Sequence, residues 1–247
     1  MTSKGKHNIV KGFCHQWQKY YQDFSEVIVC GFEDDSHRHM AAINDFSFNK
    51  AYYTIGKFAD YPVRKWSDAL IKILDEVAED VFILMLDDYW LYRPTDTRAI
   101  GMIRDYMHQF QNVLKFDLGY ERLYSDTPPN GQNRFYWGHN TYDTLGYLDL
   151  IQSNPNGQYH MSLWGGMWRR DLLKQVLIPN ERAQEIEMHG GNRLLNHPEW
   201  LVLGTRQGPM VHANVIQNNG WNRQESSGLP RLTATDYDEL EKLGCIV

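Results

Sequence analysis

Residues 81–94 read VFILMLDDYWLYRP: six apolar residues run straight into two adjacent aspartates, two aromatics and, four positions later, a proline. The apolar run shows no alternation, which predicts a strand covered on both faces, as in a parallel or mostly parallel sheet between helices. A strand of that kind delivers the residues after it to the carboxyl edge of the sheet, where open α/β folds bind ligands. Asp87 and Asp88 therefore stand where hard oxygen donors can meet a divalent cation. Turn chemistry alone also favours Asp at such a corner.

Working outward, WSDALIKILDEVAED (66–80) sets Trp66, Ala69, Leu70, Ile73, Leu74 and Val77 on one helical face, with Ser67 placed to cap it. Further upstream, Phe13, Trp17, Tyr20, Tyr21 and Phe24 recur at helical spacing, and EVIVCGF (26–32) and KAYYTIG (50–56) read as strands. Downstream, Thr95 or Asp96 caps a helix carrying Ile100, Ile103, Met107 and Phe110, and NVLKFDL (112–118) offers another strand. Strand and helix alternate, so the expected class is α/β: a mostly parallel central sheet with helices on both faces.

The second half is less regular. DTPPNGQNRFYWGHN (126–140) reads as a loop; YHMSLWGGMWRRDLLKQVL (159–177) reads as a strand interrupted by Gly165 and Gly166, then a helix from about Asp171. An acidic helix around 181–190, strands at 199–204 and 209–216, and a C-terminal helix ending at Gly244 complete the chain. No repeat or low-complexity linker divides it. The expectation is one domain over 1–247, with a donor half of about 1–120 and an acceptor half of about 121–247.

Composition narrows the function classes. The 247 residues suit one large core. With 15 Tyr, 10 Phe and 8 Trp the chain is rich in the rings that wall ligand clefts, and a net charge of −6 argues against a dedicated polyanion binder. Cys14, Cys30 and Cys245 are scattered, which supports neither a disulfide framework nor a cysteine zinc site and suits a reducing compartment. No apolar run approaches the roughly 18 residues of a membrane span, and no signal segment opens the sequence, so a cytoplasmic location is expected. The dinucleotide, phosphate-loop, hydrolase-elbow and zincin motifs are missing.

Several residues could carry chemistry. Glu185 and Glu187 lie two apart on a helix and cannot share a face: either they belong to a solvated acidic face balanced by Arg182 and Arg193, or one is structural and the other can serve as a general base. Gly165 and Gly166 mark a bulge or a close approach of substrate to backbone, and Trp164 and Trp168 beside them are either core or a sugar-stacking wall. His212 is either a polar core residue or a ligand. His37 to His39 read as solvated surface.

Taken in order, KWSDALIKIL, VFILMLDDYWLYRPTD, SLWGGMWRRDLL, EIEMHGGNRLL and GPMVHANVIQNNGWN resemble a group of small bacterial and phage glycosyltransferases of the GT-A fold. The resemblance implies a nucleoside-diphosphate-sugar donor and an acidic DxD-like motif holding Mn²⁺ or Mg²⁺ on its diphosphate. Here LDDY takes that place, with Leu86 at the first ligand position, Asp88 as the direct metal ligand and Asp87 in metal or ribose contact. It further implies that Trp66, Ser67 and Asp68 touch the donor nucleotide, with Tyr89, Gly165 and Gly166 on the donor side. His212 would be a metal-ligating histidine. Glu187, or in second place Glu185, would activate the acceptor. The strand that usually opens the fold has no evident counterpart at MTSKGKHN.

The function expected is thus metal-dependent transfer of a sugar to an acceptor hydroxyl, on a surface glycan or on a hydroxymethylated base of phage DNA. A basic strip of Arg134, Arg169, Arg170, Arg193 and Arg223 would favour DNA; scattered positions would favour the glycan. The rivals are a nucleotidyltransferase-like metal enzyme, which needs a third carboxylate near Asp88, and a non-catalytic carbohydrate-binding module.

Overall fold

The computed structural model describes residues 6–22, 26–119, 136–157, 159–217, 220–221 and 232–246. In chain order the first elements are α1 (His7–Tyr20), β1 (Val27–Gly31), α2 (Ser36–Asn44), β2 (Lys50–Thr54) and α3 (Trp66–Glu76). Then come β3 (Val81–Leu84), β4 (Tyr89–Leu91), α4 (Thr97–Gln109), β5 (Val113–Asp117), β6 (Tyr136–Leu145) and β7 (Leu148–Ser153). The rest are β8 (Gly166–Arg169), α5 (Arg170–Val176), α6 (Ala183–Leu194), β9 (Leu201–Thr205), β10 (His212–Asn214), β11 (Ile216–Gln217), β12 (Gly220–Trp221) and α7 (Ala234–Lys242). The chain forms two compact units, one of Met1–Asp60, Leu86–Thr97 and Met210–Val247, the other of Tyr61–Met85 and Arg98–Pro209.

The second unit is built on a six-stranded sheet in the order β3-β8-β5-β9-β7-β6. Only β5 and β9 are parallel neighbours; the other adjacent pairs are antiparallel. β3, β5, β9 and β6 nevertheless run in one direction, so the expected α/β class holds with a mixed sheet. The apolar run at 81–86 stops being strand after Leu84, and Val81, Phe82 and Ile83 are only half-buried, because among the described residues β3 lies at the end of the sheet. The fully covered strand is β5, buried at all five positions.

α3 buries Ala69, Leu70, Ile73 and Leu74, as its periodicity predicts. Ser67 does not cap it: the cap position is Lys65, and the buried Ser67 hydroxyl instead accepts the Glu181 N–H at 3.0 Å. Residues 126–135 lie outside the described residues, but 136–140 are strand rather than loop. They open a hairpin that turns at Gly146, whose φ of 59° is a left-handed value that a glycine takes freely.

In the first unit β1 and β2 form a parallel pair from Val27↔Lys50 to Gly31↔Thr54, linked through α2. Val10 and Cys14 of α1 pack with Val29, Ile43 and Phe46. β4 pairs antiparallel with β10, and β11 with β12. Ile9 of α1, Trp90, Val215 and Leu240, Cys245 and Ile246 near the C-terminus make a second core cluster. α7 starts on a capping box between Thr233 and Asp236 and ends at Gly244, φ 69°, as expected.

His39 is not solvated surface: it is fully buried, with Nδ1 3.1 Å from the Tyr52 hydroxyl, while His37 is exposed. The three cysteines are free and buried. Burial pushes Cys14 up to about 12 and Cys245 up to about 11, which keeps both thiols protonated and unreactive. Among the described residues no helix is long and apolar enough to cross a membrane.

Candidate functional site

The residues expected to form the site divide between the units. Asp87, Asp88, Tyr89 and His212 belong to the first, and Trp66, Ser67, Asp68, Gly165, Gly166, Glu185 and Glu187 to the second.

In the first unit, residues 86–89 make a tight turn closed by the Tyr89 N–H on the Leu86 carbonyl at 3.2 Å, and β4 leaves from it. The Asp87 carbonyl accepts from Trp90 Nε1–H at 3.0 Å, and the Asp88 carbonyl from the Val215 N–H at 2.8 Å. Burial, and then the charge of Asp87 beside it, raise the Asp88 carboxyl from its usual acidic range to about 7. Near neutral pH this carboxylate is therefore only partly ionised. Opposite β4, His212 pairs with Leu91 and Asn214 with Tyr89, and the Tyr89 ring meets the His212 imidazole edge-on with centroids 5.3 Å apart. The pleat thus puts His212 on the Tyr89 face of this ribbon, while Trp90 and Val215 take the other face and pack in the core.

In the second unit most of the nominated residues are engaged in holding the chain together. Ser67 exchanges two hydrogen bonds with the Glu181 backbone, and Asp68 Oδ2 accepts the Asn180 N–H at 2.7 Å. Their neighbour Trp66, at the start of α3, is half-buried. Glu185 reaches back to the Arg182 N–H at 2.8 Å at the start of α6. Glu187 accepts the Leu163 N–H at 2.7 Å. Gly190, one turn along, admits Met161, whose Sδ would stand 2.4 Å from an added Cβ.

Gly166 does mark a close approach, but by the protein itself, while the Gly165 carbonyl accepts the Leu118 N–H at 3.4 Å. An added Cβ at Gly166 would meet Lys115 Cε at 2.6 Å and the Phe116 carbonyl oxygen at 3.1 Å. Trp168 is fully buried beneath the Lys115 ammonium, which lies 4.9 Å from its ring centroid, so Trp168 is core and not a sugar wall. Trp164 remains half-buried.

The buried Lys115–Asp117 ion pair has no counterpart in the sequence expectations. The Lys115 ammonium also donates to the Ser162 carbonyl at 2.8 Å and lies 3.1 Å from its hydroxyl. Alternating Lys and Asp in NVLKFDL would ordinarily mark the wet face of a strand. Gly166, facing β5, is the sequence signal that something bulky fills that space.

The arginines nominated as a basic strip are spent on helix ends. Arg169 is buried and bonds the Met107 carbonyl and, at 3.3 Å, the Phe110 carbonyl at the end of α4. Arg170 takes the Val77 and Ala78 carbonyls after α3 at 2.7 and 2.9 Å. Arg193 takes the Val176 carbonyl at the end of α5 at 2.7 Å and pairs with Glu181. Arg134 and Arg223 lie outside the described residues.

No family model and no curated protein matches the chain. Among solved structures it is similar to a CMP:2-keto-3-deoxy-manno-octonic acid synthetase complexed with CTP, at a TM-score of 0.44 and 14% identity over 82% of this chain and 83% of that one. A likeness this slight says nothing about ligand or reaction, and the α/β class stands on the strands and helices themselves.

A hard cation suits the Asp87–Asp88 pair by chemistry, since two adjacent carboxylates, one of them disfavoured as an anion, gain from a positive charge. The full set of Asp87, Asp88 and His212 is not gathered: among the described residues no three His, Cys, Asp or Glu side chains come close enough together to hold an ion. Any cation here would take its remaining oxygens from water or from a bound phosphate.

Proposed function

We propose that this chain is a metal-dependent glycosyltransferase, moving a sugar from a nucleoside diphosphate to an acceptor hydroxyl. The observation that carries the reading is the turn at Asp87 and Asp88, a rigid corner after an apolar strand whose second carboxyl is raised to about 7. Selection for stability alone does not favour an acid there, whereas a bound cation would stabilise its charged form. Asp88, with Asp87 beside it, is the residue that would hold Mn²⁺ or Mg²⁺ against the donor diphosphate. When bound, the ion supplies positive charge to the departing diphosphate.

Glu185 and Glu187 each accept a backbone N–H, at 2.8 and 2.7 Å, and Glu187 stays the first choice of acceptor base with Glu185 second. On the acceptor side, Arg169, Arg170 and Arg193 are committed to carbonyls, which favours a glycan or other neutral hydroxyl over DNA. Incubation with a panel of UDP-, GDP- and CDP-sugars, with Mn²⁺, Mg²⁺ or a chelator, tests the proposal through release of the nucleoside diphosphate. Metal-dependent release from one donor is expected. Absence of both turnover and binding across the panel would overturn it, and release of pyrophosphate from a nucleoside triphosphate would replace it with nucleotidyl transfer.

A further inference from the structure

The carbonyls of Leu86, Asp87 and Asp88 are consecutive, and each accepts a hydrogen bond, from Tyr89 N–H, Trp90 Nε1–H and Val215 N–H respectively. The outer two are backbone bonds that survive most substitutions. The middle one comes from a side chain and is lost with it. The carbonyl it holds belongs to the peptide unit joining Asp87 to Asp88, and the plane of that peptide sets the directions in which both carboxylates leave the backbone.

The indole that makes this bond is itself fixed. Trp90 is fully buried among Ile9, Val215, Leu240, Cys245 and Ile246. Its outer ring lies against Gly12 of α1, where an added Cβ would stand 2.2 Å from Cη2 and 2.3 Å from Cζ2. No residue but glycine fits there with the indole in place, and an indole so enclosed has no second rotamer to visit. Its N–H is a donor of fixed position and direction.

We infer that Trp90 is a positioning residue for the Asp87–Asp88 carboxylates: its indole N–H locks the peptide between the two acids, and the cleft at Gly12 locks the indole. The inference rests on the reading of this pair as a cation site and adds what aims it. Loss of a partner behind a metal ligand commonly costs about 10–100-fold in metal affinity.

The test compares Trp90→Phe with Trp17→Phe in the full chain. Trp17 is a buried indole of the same unit, stacked between Phe13 and Tyr21 at 5.6 and 4.1 Å, and serves as the control for lost core packing. Mn²⁺ affinity is read by electron paramagnetic resonance of the free ion, and the turn by hydrogen exchange of the Tyr89 amide. Both variants lower the thermal midpoint. Trp90→Phe weakens Mn²⁺ binding about tenfold or more and speeds Tyr89 exchange, while Trp17→Phe leaves both near wild type.

Gly12→Ala, which keeps the indole but crowds its cleft, shows the same two changes in weaker form and serves if Trp90→Phe does not fold. A folded Trp90→Phe with wild-type Mn²⁺ affinity and wild-type Tyr89 exchange overturns the inference, as does a Trp17→Phe variant that matches it in both. A wild-type chain that binds no Mn²⁺ sinks the cation reading, while Tyr89 exchange still decides whether the indole holds the turn.

Discussion

Asp88 and Lys115 are two charges set in places that disfavour charge, and they answer the problem differently. Asp88 has an acid for a neighbour and its carboxyl is raised to about 7. The unfolded chain loses this proton near pH 4, the folded chain near 7, so the group lowers stability progressively as pH rises between those values. Asp88→Asn is therefore expected to unfold at a higher temperature than wild type at pH 8 without metal. The gap is on the order of 2 kcal/mol, after allowance for the water reaching a half-buried carboxyl, and closes by pH 4. Added Mn²⁺ should raise the wild-type midpoint and leave the variant unmoved; melts at the two pH values with and without the ion check both parts. Lys115 instead has its partner at hand in Asp117. Removing one member strands the other, so Lys115→Met is expected to cost about 3–5 kcal/mol in denaturant unfolding, and Lys115→Met with Asp117→Leu much less than the sum. The carboxylate pair is legible in the sequence because an unbroken apolar run points at it. The ion pair is not, because period alone cannot say that both faces of β5 are covered.

At the scale of elements, Arg169, Arg170 and Arg193 each finish a helix by binding carbonyls that the helix itself leaves open. A cation at that end also meets the negative end of the helix dipole. Sequence alone shows WRRDLL as two cations in a row before an acid; it cannot show that neighbouring arginines serve α4 and α3 separately, since that depends on which strands flank β8. The hairpin of β6 and β7 escapes a sequence reading for a related reason. Pro, Gly and Asn before residue 136 hide the strand after them, although Gly146 between Leu145 and Leu148 carries a turn signal. Arg169→Ala, which strips a buried guanidinium from several acceptors, is expected to cost about 2–3 kcal/mol in denaturant unfolding. Arg169→Ala and Arg193→Ala should leave retention on a DNA column unchanged, since neither guanidinium is free for phosphate. Weaker, salt-sensitive retention in either variant would restore DNA as an acceptor.

For the molecule as a whole, the first unit is assembled from three separated stretches of chain, and its last stretch carries α7. α1 receives that helix along a polar stripe: Lys19 pairs with Asp236 and Glu239 at 2.8 and 2.7 Å, His15 with Glu239 at 3.0 Å, and Asn8 donates to the Cys245 carbonyl at 3.3 Å. Tyr20 adds a bond to Asp236 at 2.9 Å. Pairs with an exposed member, such as Lys19–Glu239, contribute little singly, whereas Asp236 is buried and Leu240, Cys245 and Ile246 close the core over Trp90. Among the described residues the second unit draws none of its strands from this stretch; the six strands of its sheet lie between residues 81 and 205. Ending the chain at residue 231 is therefore expected to abolish slow amide exchange in α1, β4 and β10 while β5 and β9 keep theirs, as read by peptide-resolved exchange and mass spectrometry. Mn²⁺ affinity at Asp88 should fall with the protection of β4, because the turn is only as rigid as the indole behind it. Uniform loss of protection across both units would mean that they unfold as one cooperative block.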